Sequence, residues 1–184
     1  MKEIEILPAL EELGWRCGKD EVGDYFCLMD SGNAQIQIIP AIGKRSDHFR
    51  VSFMPSVSTK SFTEAVAFVL GEARDYVPII VNNDVPEKIV DFSLDDVVRL
   101  SQSAISWASA QDIEKGLAAY RALPTNSKGA MPLRHLAALA IAGEVGRLVG
   151  YQRSFEQGDR LGFVPYIAAE MIDRALLLAR GSEG

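Results

Sequence analysis

The side chains best suited to chemistry in this chain are two histidines and two cysteines. His48 stands near the start of a predicted strand, and His135 lies in a predicted helix. Neither has a metal-ligating neighbour at the spacing that metal sites use. We therefore expect structural or surface roles for both histidines, with no metal site and no cofactor.

Cys17 and Cys27 flank a predicted hairpin. A three-residue turn over 21–23, with Gly23 in the left-handed conformation, places the two cysteines opposite each other on adjacent strands. A disulfide between them would act as a redox switch. Both positions also fall on the predicted core face, where free cysteine behaves as a small buried hydrophobe. We expect two buried thiols and keep a regulatory disulfide as the alternative.

The acidic residues form no obvious acid–base pair. Glu11-Glu12, Asp20-Glu21 and Asp95-Asp96 are adjacent in sequence, so their side chains point in different directions and do not converge on one atom. The chain also lacks the nucleophile-elbow, phosphate-loop and dinucleotide-binding motifs. These absences favour a protein that is not an enzyme.

The charge of the chain is unevenly distributed. The net charge is −6, and residues 1–92 contain 9 Lys and Arg against 15 Asp and Glu, whereas residues 93–184 contain 10 of each. Nucleic acid binding requires a basic surface, so we expect no nucleic acid partner. An acidic half would instead steer a basic protein partner. No apolar stretch approaches the roughly 18 residues of a membrane helix, and the first residues lack a signal-peptide pattern, so we predict no membrane association and a cytoplasmic location.

Alternating apolar residues in the first half of the chain predict an antiparallel four-strand meander. Turn lengths pair Cys27 with Ile36 and Ile38 with Val51. The strands are expected at 15–19, 24–29, 34–42 and 48–54, after a helix over about 4–13 and before a helix from Ser61 and a short strand at 77–81. One face is then apolar throughout and forms the core side: Trp15, Cys17, Tyr25, Cys27, Met29, Ile36, Ile38, Phe49, Val51 and Phe53.

The opposite face of this meander mixes polar and apolar side chains. Its members are Arg16, Phe26, Leu28, Gln35, Gln37, Ile39, His48, Arg50 and Met54. Such a face is covered either by the later helices or by a partner. We predict Phe26, Gln37 and Arg50 as partner contacts.

The second half of the chain reads as a series of helices. They are expected from the cap Ser93 to about 108, from a fresh cap over Ser109-Ala110-Gln111-Asp112 to before Pro124, from Pro132 to about 149, over about 151–157, and from Pro165 to about 179. Aromatic and arginine residues cluster around the last two of these helices, and Tyr and Arg often anchor interfaces. We predict Tyr151, Arg153 and Phe163 as further partner contacts, with a packed corner as the alternative.

These patterns predict an α+β fold. Residues 1–92 are expected to form a sheet lobe, with an N-terminal helix, the meander and one packed helix. Residues 93–184 are expected to form an all-α lobe, and the two lobes to pack as one globular unit.

The order of helix, strands, helix and strand resembles that of type III secretion chaperones and related chaperone-like domains. The resemblance covers residues 1 to about 82. It rests on Leu10-Glu11-Glu12-Leu13-Gly14-Trp15, the alternation at 34–42 and 48–54, and the helix from Ser61. The extra strand and the helical second half depart from that pattern. Small acidic bacterial immunity proteins, which neutralise toxins, are similar in a looser sense, and both resemblances imply a protein that binds other polypeptides.

The sequence therefore predicts a non-enzymatic protein-binding module, chaperone-like or immunity-like, whose partner is another protein. The acidic half is explained either by solubility alone or by a basic partner. Two alternatives stay open. One is a small hydrolase or thiol-redox protein whose site combines Asp47, His48 and a cysteine. The other is a structural subunit that homodimerises through the mixed face.

Overall fold

The computed structural model describes residues 2–83 and 85–181, which form seven helices and eight strands. The predicted α+β fold with a helical second half is confirmed. The strands are β1 (Arg16–Lys19), β2 (Tyr25–Ser31), β3 (Ala34–Ile38), β4 (Ala41–Lys44), β5 (Phe49–Ser52), β6 (Ser56–Thr59), β7 (Ile80–Val81) and β8 (Glu87–Ile89). The helices are α1 (Glu3–Glu12), α2 (Lys60–Leu70), α3 (Leu94–Ser109), α4 (Ile113–Arg121), α5 (Met131–Ile141), α6 (Val145–Glu156) and α7 (Ala169–Gly181).

The chain divides into two compact units, and each is discontinuous in sequence. Unit 1 combines the residues up to Ser58 with Ile80–Gln111, and unit 2 combines Thr59–Ile79 with the residues from Asp112 onward. The predicted boundary near residue 92 differs from this division. Helix α2 packs against α5 and α7 and belongs to unit 2, whereas α3 packs against α1 and belongs to unit 1. Local composition marks where strands give way to helices, but packing of apolar faces decides which helices share a core.

Unit 1 contains two sheets. The larger sheet has the strand order β1-β2-β3-β6-β7, and the smaller sheet has the order β4-β5-β8. In the first hairpin the predicted register is confirmed, because Cys17 lies opposite Cys27. In the second hairpin the prediction was wrong by two residues: Cys27 lies opposite Ile38, because Ser31 and Ala34 pair and the turn is formed by the two residues between them. A shift of two residues keeps every side chain on its face.

The predicted third strand, 34–42, is broken in the structure. It divides at Ile39-Pro40 into β3 and β4, which belong to different sheets. Proline has no N–H to donate to a ladder, so a strand rarely continues through it in the middle of a sheet. As a result Ile42, and not Ile38, faces Val51. The meander is therefore distributed over two sheets, and β6 and β8 were not predicted.

The core of unit 1 joins its sheets to α1 and α3. Ile6 and Leu10 of α1 are fully buried, as is Val97 of α3. The indole Nε1 of Trp15 donates a buried hydrogen bond to Ser101 Oγ of α3 at 2.8 Å. This bond holds the residue before β1 against α3.

Unit 2 is built around α5, most of whose residues are buried. Helix α2 begins at Lys60, one residue before the predicted Ser61, because Thr59 is its cap: the Thr59 side chain accepts a hydrogen bond from the Phe62 N–H at 3.2 Å. The single helix predicted from Pro132 to about 149 is two helices. The break falls at Gly143, whose φ of 68° lies in the left-handed region that favours glycine.

Candidate functional site

The smaller sheet of unit 1 presents different chemistry on its two faces. Side chains alternate along a strand, and directly paired residues share a face. Val51 of β5 pairs with Glu87 of β8, while Arg50 pairs with Lys88. One face therefore carries Val51 and Glu87, and the other carries two cations. A cavity lies against each of these pairs.

An apolar groove of about 170 Å³ lies on the Val51 side of the sheet. This volume is close to the ~150 Å³ of an engineered apolar cavity that binds benzene, so the groove has room for one large apolar side chain. Its lining residues come from β5, the β5–β6 connection, the β7–β8 segment and α3: Val51, Ser52, Phe53, Met54, Pro55, Asn82, Val85, Glu87, Leu100, Ser103, Ala104 and Trp107.

Two apolar side chains of the groove are exposed to solvent. Val85 is 79% exposed and Met54 is 38% exposed. Met54 also has a φ of 38°, which places a residue with a Cβ in the left-handed region. That conformation costs about 1–2 kcal/mol relative to the usual right-handed one. A methionine is thus held at the solvent edge of the groove at a conformational cost.

A cationic pocket of about 460 Å³ lies on the other face of the smaller sheet. The lining residues are Arg45, Ser46, Asp47, His48, Arg50, Pro86 and Lys88. His48 Nδ1 lies 2.6 Å from Asp47 Oδ1, and the Lys88 ammonium lies 3.4 Å from Asp47 Oδ2. The hydrogen bond from His48 and then that from Lys88 lower the pKa of the Asp47 carboxyl below its usual range. Asp47 is therefore a carboxylate at neutral pH and orients the His48 ring.

The cysteines take no part in this pocket. Cys17 and Cys27 form a disulfide in the structure, which corrects the prediction of two free thiols. They are directly paired neighbours on β1 and β2, with Cα atoms 4.0 Å apart. Neither lines the cavity beside Asp47 and His48. The structure therefore brings together Asp47 and His48 of the predicted hydrolase site and leaves out the cysteine.

The predicted contact residues of the mixed face do not form one surface. Phe26 and Gln37 are half-buried on the larger sheet. The Phe26 ring covers Gly18, where an added Cβ would lie 2.8 Å from Phe26 Cζ. Arg50 is exposed, but on the smaller sheet. The break at Pro40 is the reason, because it places β5 in a different sheet from β2 and β3.

The predicted aromatic rim of the helical half is largely interior. Tyr151 is 8% exposed and Phe163 is 4% exposed, so both are buried and the prediction that they contact a partner was wrong. Their rings pack edge to face with centroids 5.4 Å apart. Arg153 is exposed on α6 and remains available as a contact. The aromatic residues seal the core of unit 2, which is the alternative kept above.

His135 lies within this aromatic cluster and is fully buried. Its Nδ1 is 2.8 Å from the Tyr120 carbonyl oxygen, to which it donates as Nδ1–H, and its Nε2 is 3.0 Å from the Tyr151 hydroxyl. The Arg147 guanidinium donates to the same hydroxyl at 2.9 Å. Burial lowers the pKa of His135, and the nearby positive charge of Arg147 adds to that effect. The histidine is thus a neutral, hydrogen-bonded core residue.

Sequence reasoning missed two residues of the apolar groove, Val85 and Trp107. Val85 stands in an irregular segment before Pro86, outside any alternating stretch. Trp107 continues the helical stripe of Leu100 and Ala104 on α3, a signal that could have marked it. The usable signal for Val85 was weak: a valine between an acidic residue and a proline, in a stretch too short and too polar for a buried strand.

Almost the whole chain matches one protein family. Residues 2–180 match the model of a protein family described as a family of unknown function (DUF6990). The chain belongs to this family. No curated protein and no solved structure matches the DUF6990 chain. Among residues 2–83 and 85–181 there is no helix long and apolar enough to cross a membrane, and no group of three His, Cys, Asp or Glu side chains that could hold a metal ion.

Proposed function

We propose that this chain binds another protein, and that the apolar groove of unit 1 receives an apolar side chain of the partner. The observation that carries the proposal is the exposure of Val85 and Met54 at a groove with a tryptophan in its wall. Water-exposed apolar side chains beside a concave apolar surface favour association, because binding removes both from water.

The exposed apolar side chains are concentrated in unit 1. Within the part of the chain that the structure describes, eleven large hydrophobic side chains are exposed, and eight of them belong to unit 1. Single exposed hydrophobics are normal on soluble proteins. Their concentration in the unit that also holds the groove supports an interaction surface there.

The charge of unit 1 supports a basic partner. The sequence segments that form this unit contain 8 Lys and Arg against 14 Asp and Glu, a balance of −6, whereas unit 2 has a balance of zero with 11 of each. Charge complementarity of this kind raises association rates and rejects acidic competitors. The resemblance of residues 1 to about 82 to secretion chaperones is consistent with a polypeptide ligand, and a cytoplasmic, non-enzymatic role remains part of the proposal.

The experiment compares two valines of similar exposure, Val85 at 79% and Val22 at 83%. Val85→Glu places a charge at the groove, and Val22→Glu places the same charge at the β1–β2 turn, where Val22 is 83% exposed. The wild-type chain and both variants are tagged and used for capture from the lysate of the source organism, and the captured partner is then titrated against each. We expect the wild type and Val22→Glu to bind equally and Val85→Glu to bind at least about tenfold more weakly.

Two results would count against the groove, and a third identifies a variant that must be replaced. Equal binding by the two variants would place the interface elsewhere, with Phe26, Gln37, Arg50 and Arg153 as the remaining predicted contacts. A lower melting temperature of Val85→Glu alone would indicate misfolding, and Met54→Glu would then replace it. Capture of the chain's own copies, with a dimer mass in light scattering, would favour the homodimer alternative.

A further inference from the structure

We propose that the cationic pocket of unit 1 is a binding site for a phosphate monoester. This site lies on the opposite face of the smaller sheet from the apolar groove and is independent of the proposed protein partner. Four features carry the inference: the register of the strands, the space at a glycine, the surplus of positive charge and the type of donor.

The register places like charges directly opposite each other. Gly43 of β4 pairs with Arg50 of β5, and Arg50 pairs with Lys88 of β8, so the three residues form one row across the sheet. Like charges in a directly opposed cross-strand pair are destabilising. The Arg50–Lys88 pair therefore lowers the stability of the unliganded protein, and an anion bound between the two side chains would remove that penalty.

The glycine in this row leaves open space beside the cations. A Cβ added at Gly43 would lie 3.8 Å from the Arg50 carbonyl oxygen and 4.0 Å from Arg45 Nη2. The Arg45 guanidinium thus extends back along β4 to the position where a side chain of residue 43 would stand. The side chains of Arg45 and Arg50 both line the cationic pocket.

The pocket has more positive than negative charge. Arg45, Arg50 and Lys88 line it, and Asp47 is the one carboxylate among its lining residues. Asp47 is already engaged by His48 and Lys88. No carboxylate of the described residues lies within ion-pair distance of Arg45 or Arg50. Counting the two guanidinium groups, the Lys88 ammonium and the Asp47 carboxylate, the local balance is two positive charges, within a unit whose sequence is otherwise strongly acidic.

The donors suit a phosphoryl group. Two guanidinium forks can each donate two parallel hydrogen bonds to a tetrahedral oxyanion, and an ammonium adds a point charge. The Ser46 hydroxyl is an additional donor at the edge of the pocket. The volume of about 460 Å³ lies within the ~300–1,000 Å³ of small-molecule sites, and a phosphate ion alone would fill only a part of it. The remaining space leaves room for an organic group esterified to the phosphate.

The test is titration calorimetry of the full chain with two probes, inorganic phosphate and phosphoserine, against a background of matched chloride concentration. Arg50→Gln and Lys88→Gln each remove one cation of the row. Lys44→Gln is the matched control, because Lys44 is exposed on β4, carries the same charge and pairs with Phe49 on the opposite face. We expect phosphoserine to bind the wild type, binding to fall at least about tenfold in Arg50→Gln and Lys88→Gln, and Lys44→Gln to change it by less than about twofold.

Each other outcome has a defined meaning. Binding of inorganic phosphate alone, with the same dependence on Arg50 and Lys88, would support the oxyanion site and overturn the monoester. No binding of either probe up to about 10 mM would overturn the site. Equal weakening by Lys44→Gln would also overturn it, because the effect would then come from net charge. Melting temperatures without ligand show whether the variants are folded, and we expect them to be no lower than that of the wild type.

Discussion

His135 shows how a residue with catalytic potential can be structural. Both of its ring nitrogens have hydrogen-bond partners within unit 2, and the ring has no exposed surface. A buried polar group that is fully hydrogen-bonded helps to specify a core, and one that loses a partner destabilises it. The same arrangement makes the stability of the protein depend on pH.

The stability of unit 2 should fall as the solution is acidified. The folded-state pKa of His135 lies below that of the unfolded chain, about 6.5, so the unfolded state binds the proton more tightly. The stabilisation is complete above about pH 6.5 and is lost progressively below it. Urea denaturation at several pH values between about 5 and 7.5 measures this effect, because carboxyl and lysine side chains ordinarily titrate outside that interval.

A pair of variants identifies the histidine responsible. His135→Gln should be less stable and should lose the slope between about pH 5 and 7. His48→Gln, at the cationic pocket, should retain the slope of His135. Parallel pH profiles for the wild type and His135→Gln would show that another group causes the dependence.

For single residues, the sequence predicted which residues lie opposite each other better than it predicted their burial or chemical state. Turn lengths were enough to place Cys17 opposite Cys27, because hairpin geometry is local. The state of the two sulfurs was not predictable from the same turn, since it depends on redox conditions. Tyr151 and Phe163 were assigned to the surface because their arginine neighbours suggested exposure, but the packing of α5, α6 and α7 buries their rings.

The first hairpin is an element whose stability should depend on its disulfide. The bond closes a loop with a sequence separation of 10. Loop-closure entropy for a ring of this size corresponds to about 2–3 kcal/mol of stabilisation. We expect a reducing agent to lower the melting temperature of the wild type and to leave Cys17→Ala/Cys27→Ala unchanged. If reduction shifts both proteins equally, the disulfide does not contribute to stability.

The bond between Trp15 and Ser101 should couple β1 to α3. Ser101→Ala leaves a buried indole N–H without its acceptor, which costs about 1–3 kcal/mol of unfolding free energy. Trp15→Phe removes the donor as well, so the double variant should be less destabilised than the sum of the two single variants. A double-mutant cycle by urea denaturation measures this coupling, and strictly additive effects would contradict it.

At the scale of elements, periodicity and caps were informative where the signals were local. Ser93 caps α3 as predicted, with the Ser93 N–H donating to Asp96. The predicted cap over 109–112 is narrowed to Asp112, which accepts from the Lys115 N–H, whereas Ser109 still belongs to α3. The strand across Pro40 was predicted against the known preference of proline for strand edges, and this is where the sheet divides. Strand β8 could not be predicted, because its pairing with β5 depends on tertiary contacts and its three residues do not alternate.

For the whole molecule, the discontinuity of the units makes residue 92 an unsuitable place to divide the chain. A fragment of 93–184 lacks α2, whose buried Phe62 and Val66 contribute to the core of unit 2. We expect this fragment to lack a cooperative unfolding transition by circular dichroism. Cooperative unfolding of 93–184 alone would show that α2 is dispensable.

Adding α2 back as a separate peptide tests the same point in the opposite direction. Residues 59–79, added to a fragment of 112–184, should restore cooperative unfolding because together they contain the elements of unit 2. A peptide of residues 93–111 is the matched control, since α3 belongs to unit 1 and should restore nothing.

The same discontinuity sets an order of events during synthesis on the ribosome. Unit 1 is complete once residue 111 has emerged, whereas α2 emerges earlier and belongs to a core whose other helices are not yet translated. During that interval the apolar face of α2 has no partner from its own unit, although unit 1 already has all of its strands. The nascent chain therefore passes through a stage in which unit 1 can be folded while α2, which lies between its two sequence segments, still exposes an apolar face. Aggregation or chaperone binding would occur at this stage.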